Sequence, residues 1–150
     1  MIVRSVLNNC IGAIIAAAIF SLAFRPQLEM IFFPIVQNAK ITFVSRTPET
    51  LKFHMEIDKV RNGFGVYHAW AMTDRDGHKY FVLPFHCEDG SALRPGVTPE
   101  GAHAEFDLCA SVPVEISGAP FRLTGTVFYS AESFGETVPA RYPALEVPAV

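Results

Sequence analysis

Five histidines and fifteen acidic residues are the groups in this chain whose types could do chemistry. His86-Cys87, His103 and Cys109 supply two imidazoles and two thiols, the ligand types zinc prefers. Their spacing matches no zinc pattern, and Cys87 with Cys109 reads better as a disulfide, so no metal is expected there. Asp74 and Asp76 share the turn Asp74-Arg75-Asp76-Gly77, and Glu88-Asp89-Gly90 brings two more carboxylates. Together these are oxygen ligands of the kind a loop calcium site uses. Asp-Gly turns also arise from backbone need alone, which leaves Asp74 and Asp76 as weak calcium candidates. Serine-nucleophile elbows, His-Glu-x-x-His helices and phosphate loops are absent from the sequence. An enzyme would require His54, His68 or His86 to meet carboxylates in one cleft. His54 and His68 alternate with polar neighbours, so solvent-facing strand positions are expected for both. No catalytic residue and no cofactor is predicted, and the chain reads as a non-enzyme.

The disulfide expectation rests on context. Of three cysteines, Cys10 lies in an apolar run and two lie in the rest of the chain. A two-cysteine domain behind a membrane signal suggests one bridge in an oxidising compartment. Closing a loop of about 22 residues would contribute roughly 3 kcal/mol in the chain-entropy model. Cys109 has the same strand phase as Glu105 and Asp107, opposite Phe106 and Leu108. A bridge there would tie neighbouring strands near a surface and would not cross the core.

Strands must position these groups. Leu51, Phe53, Met55 and Ile57 alternate with Lys52, His54, Glu56 and Asp58, which predicts one buried and one wet face. A weaker strand, 40–45, precedes it. Asn62-Gly63 marks a turn into 66–73, which carries the single tryptophan, Trp70, expected between two sheets. The stretch 79–87 is nearly continuously apolar and reads as one returning strand. A Pro- and Gly-bearing loop, 88–101, leads to strand 103–112, and 121–130 is the next. Pro139, Pro143 and Pro148 suit an edge strand or extended tail. Six or seven strands with short turns predict an antiparallel, immunoglobulin-like β-sandwich, with a small barrel as the alternative.

The N-terminus sets the expected compartment. Between Arg4 and Arg25 stand 20 residues without a charge, roughly 30 Å as a helix, the thickness of a hydrocarbon core. Residues 5–24 are therefore expected to sit in the lipid bilayer as an uncleaved anchor, with cleavage of a secretory signal after Ser21-Leu22-Ala23 as the alternative. Asn8 and Asn9 shorten the well-buried part to about 15 residues. The expected organisation is a transmembrane anchor or signal segment over 1–25, a neck over 26–38 and a β-sandwich over 39–150. The last would be periplasmic or extracellular on a single-pass chain, or secreted if the signal is cut.

Composition narrows the class. Charged residues make up 18% and phenylalanines number thirteen, which rules out a disordered chain. Twelve basic against fifteen acidic residues give a formal net charge of −3. The charges are scattered with no basic stripe, so nucleic acid is not an expected partner.

The apolar N-terminal run, the neck Ile31-Phe32-Phe33-Pro34-Ile35-Val36 and the strand end Asp58-Lys59-Val60-Arg61-Asn62 resemble small membrane-anchored β-domain proteins of tailed bacteriophages. The resemblance covers about residues 1–85. That group has a cysteine soon after the Lys-Val-Arg-Asn stretch, where Gly63 stands here. The resemblance implies no activity, because the group has none assigned. The expected function is that of a structural or protein-interaction module, tethered to a membrane and partnered by an envelope or virion protein. A small-molecule or glycan-binding module and a histidine/carboxylate enzyme are the alternatives.

Overall fold

The structure, a computed structural model, describes residues 2–23, 34–61, 64–93, 101–130 and 137–150. Among these residues a helix, α1 (Ile2–Ala23), is followed by nine strands. They are β1 (Val36–Arg46), β2 (Thr50–Lys59), β3 (Phe64–Thr73), β4 (Lys79–Val82), β5 (Phe85–His86), β6 (His103–Ser111), β7 (Phe121–Ser130), β8 (Thr137–Arg141) and β9 (Leu145–Val147). The first sheet runs β1-β2-β6-β5 and the second β4-β3-β7-β8, with β9 also on β7. Every ladder is antiparallel.

Binary patterning explains how the sheets meet. Along β2, Leu51, Phe53, Met55 and Ile57 are buried, while the residues between them stay partly open to solvent. Phe121, Leu123, Val127 and Tyr129 do the same for β7. These inner faces share one core, with Trp70 of β3 between the Phe53 ring and the Tyr142 ring, each centroid 5.5 Å away. Trp70 is paired across the ladder with Gly125, and the indole occupies the space a side chain would need there. A Cβ on Gly125 would lie 2.5 Å from the Trp70 ring. Gly125→Ala is therefore expected to destabilise the domain by about 1–3 kcal/mol, measured by urea denaturation. A cost below about 0.5 kcal/mol would show that the indole moves aside freely.

Several expectations are corrected. Among the described residues no helix is long and apolar enough to cross a membrane. The 22-residue α1 has Arg4, Asn8 and Asn9 in its first half, leaving an apolar stretch of roughly 21 Å against roughly 30 Å of hydrocarbon. The transmembrane anchor, and with it the single-pass membrane topology, is withdrawn. The neck falls largely on residues outside those described; β1 starts at Val36 and Ile35 is already core. What the fold supports is a mainly β domain of antiparallel sheets. The immunoglobulin-like label is not carried over, because its hallmark bridge joins the two sheets beside the tryptophan, whereas Cys87–Cys109 lies within the first sheet. The stretch 79–87 is two strands in different sheets, β4 and β5. Pro84 sits between them, and its missing N–H interrupts a ladder at that point.

Candidate functional site

The outer face of the first sheet concentrates the titratable side chains. Register across β2 and β6 sets Lys52 opposite Cys109, His54 opposite Asp107, Glu56 opposite Glu105 and Asp58 opposite His103. Because side chains alternate along a strand, these four pairs share the face that the core residues leave.

Carboxylates hold both histidines. His54 Nδ1 is 2.8 Å from Asp107 Oδ1, and its Nε2 faces Glu56 Oε1 at 3.8 Å and Glu105 Oε2 at 3.9 Å. His103 Nδ1 is 2.6 Å from Asp58 Oδ1, and its Nε2 is 3.1 Å from Glu105 Oε1. Two groups of β1 complete the row. Lys40 Nζ lies 3.1 Å from Glu56 Oε1, and the Asn38 amide donates to Asp58 Oδ2 at 2.6 Å. Asn38 has φ 49, a left-handed conformation that asparagine tolerates better than most residues, at an irregularity in the β1–β2 register.

These contacts shift protonation. Hydrogen bonds from Asn38 and then His103 hold the Asp58 carboxyl below its ordinary range. The Asp58 and Glu105 carboxylates push the His103 imidazole above its own. The hydrogen bond with His54 lowers Asp107. A raised histidine contributes stability that is full below its unfolded value and lost as pH rises through its folded one. A depressed aspartate contributes above its unfolded value and loses it as pH falls. Thermal stability is therefore expected to be highest between about pH 4 and pH 6.5, falling on both sides. His103→Gln should flatten the alkaline side of the melting-temperature profile. An unchanged profile would show that the His103 contacts contribute nothing.

A cleft of about 540 Å³ opens beside this row, lined by His54, Glu105, Phe106 and Asp107 from the strands and by His86, Glu88, Asp89 and Ser91. The second group forms a wall folded on itself. The His86 N–H donates to Ser91 O at 2.8 Å, the Gly90 N–H to His86 O at 2.9 Å, and the Ser91 N–H to Asp89 Oδ1 at 2.9 Å. Gly90, with φ 70, supplies the positive φ the turn requires. The wall joins the sheet where the Cys87 N–H donates to Asp107 O at 3.2 Å and the Cys87–Cys109 bridge spans Cα atoms 5.1 Å apart.

The other sequence candidates are placed as follows. The cysteines are bonded to each other, so zinc has no thiolate pair here. Asp74, Asp76 and His78 approach closely enough to hold an ion. Asp74, however, spends Oδ1 on the N–H groups of Asp76 and His78 and Oδ2 on the His78 ring and the Tyr80 hydroxyl. These bonds close the β3–β4 turn, and Glu88 and Asp89 belong to a different cleft. His54 stands on the outer, solvent-facing side of β2, its side chain 27% exposed among carboxylates. His68 is half-buried and shares the strand phase of Trp70 and Met72. Asn38 and Lys40 were not legible as site residues, because only the β1 register brings them to Asp58 and Glu56.

No family model and no curated protein matches the chain. Two solved structures are similar to it. One is a protein of Bordetella pertussis assigned as ApaA, with 10% identity and a TM-score of 0.52 over 76% of this chain and 91% of that one. The other is a structural-genomics target designated SoR45, with 14% identity and a TM-score of 0.49 over 77% of this chain and 87% of that one. At such identities the first likeness shows a shared fold and nothing about activity.

Proposed function

We propose that this chain is a protein-interaction module that receives a basic segment of its partner in the histidine–carboxylate cleft. The observation that carries the reading is the lining: four carboxylates, Glu88, Asp89, Glu105 and Asp107, converge on an open cleft with two imidazoles. Glu105 and Asp107 are met by histidine nitrogens, and no lysine or arginine is among the described residues lining the cleft. The cleft is thus acidic, and a Lys or Arg side chain entering it would meet unneutralised oxygens.

An expected result tests this. A fluorescein-labelled Arg- and Lys-rich peptide should bind with an affinity that falls steeply with salt, as screening of a charged encounter requires. Glu105→Gln with Glu88→Gln should weaken it about tenfold. Equal binding of an acidic peptide of the same length, or no response to the two substitutions, would overturn the reading.

A histidine/carboxylate enzyme draws on one observation, the Asp107 carboxylate on His54 Nδ1. A carboxylate there orients an imidazole as a base. Hydrolysis of an activated ester that is lost in His54→Gln but kept in His86→Gln would favour it.

A further inference from the structure

We infer that the Cys87–Cys109 bridge is a redox gate on the cleft, opening its wall and releasing a bound basic segment when reduced; the release rests on the docking reading above, the opening does not. The two sides of the cleft are held very differently. The floor belongs to β2 and β6, whose register runs unbroken from Thr50 opposite Ser111 to Asp58 opposite His103, and β2 is flanked on its other edge by β1. The wall hangs from β5, which pairs with β6 only at Phe85 opposite Cys109 and His86 opposite Leu108. Cys87 is the next residue, so the bridge sits where the wall leaves the sheet. His86, Glu88, Asp89 and Ser91, which the wall contributes to the cleft among the described residues, lie within four residues of that sulfur.

Short edge ladders with few buried contacts are the segments that open locally at low cost. With the bridge closed, the wall is covalently fixed to the middle of β6. With it open, what ties the wall to β6 is the Cys87 N–H to Asp107 O hydrogen bond, at 3.2 Å, and the two-residue β5 ladder. The base of the hairpin stays anchored, because Pro84 is buried, Leu93 packs against the core and the Leu93 N–H donates to Pro84 O. The wall therefore swings away as a loop while the floor keeps its ladder.

The chemistry needs a dithiol reductant from outside the protein. One thiolate attacks Sγ of Cys87, which is half-buried, and Cys109 leaves as a thiolate; Cys109 itself is 8% exposed. The second thiol of the reductant then displaces Cys87, so two electrons pass to the protein, each cysteine sulfur takes up a proton, and the reductant becomes its own disulfide.

The test uses the full chain, oxidised and after dithiothreitol treatment, with thiol titration confirming that the bridge is open. Amide resonances of 86–91 should move toward random-coil positions on reduction, while those of 52–57 and 104–108 keep their native shifts. Affinity for the basic peptide should fall about tenfold, because half of the cleft's four carboxylates sit on the wall. It should recover on reoxidation, and Cys87→Ser with Cys109→Ser should behave like the reduced protein. Native shifts throughout after reduction would overturn the gate, and so would loss of the native shifts everywhere, which would make the bridge a staple of the whole domain. Wall opening without loss of affinity would remove the release. If the oxidised chain fails to hold the peptide, the docking reading falls, while the shifts still decide whether the bridge gates the wall.

Discussion

Replacing Phe53 with alanine is expected to lower the unfolding free energy by about 3–5 kcal/mol. Phe53 is fully buried at the centre of β2, between Phe43 of β1 and Leu108 of β6 in register, with Trp70 of the facing sheet 5.5 Å from its ring. Truncation removes the transfer free energy of a large aromatic and leaves a void that strands held on both sides cannot close. Phe53→Leu keeps most of the volume and should cost far less. Urea denaturation with an unchanged slope is the measurement. A loss below about 1 kcal/mol would mean that the core collapses around the truncated side chain.

Opening the Cys87–Cys109 bridge is expected to cost roughly 3 kcal/mol of global stability. The two sulfurs close a loop with a sequence separation of 22, and cutting it returns conformational entropy to the unfolded chain. The native state loses less, because the bridge joins strands that are already neighbours in one sheet. Cys87→Ser with Cys109→Ser, denatured in urea beside the oxidised parent, checks this. Equal midpoints would show that the unfolded chain is not restricted by the bridge.

The β2 strand was legible because its alternation is complete: four apolar residues interleaved with four polar ones leave one choice of face. The same pattern placed Cys109 on the outer phase of β6, with Glu105 and Asp107. What the chain does not spell out is register. His54 meets Asp107, and His103 meets Asp58, only because β2 and β6 pair at one offset, and residues about fifty positions apart announce no such pairing. Arg46 makes the same point. Its guanidinium reaches the carbonyls of Ile116, Ser117, Ala119 and Pro148 and lies over the Phe121 ring, contacts with no trace in local sequence. The continuous apolar run 79–87 concealed a change of sheet, because period-two reasoning needs polar residues to show where one face ends. The apolar N-terminal run invited a membrane reading through its lack of charge, and charge alone does not make an apolar stretch long enough.

The central claim is that a cationic segment docks in the cleft of the first sheet. Titrating the isotopically labelled, oxidised chain with the Arg- and Lys-rich peptide at low salt, and following backbone amide shifts, tests it most directly. Saturable shifts are expected, confined to 52–56, 86–91 and 105–107, with about tenfold more peptide needed in Glu88→Gln with Glu105→Gln. Shifts centred instead on the exposed Tyr67 and Phe81 of the second sheet, or none at any concentration, would contradict it.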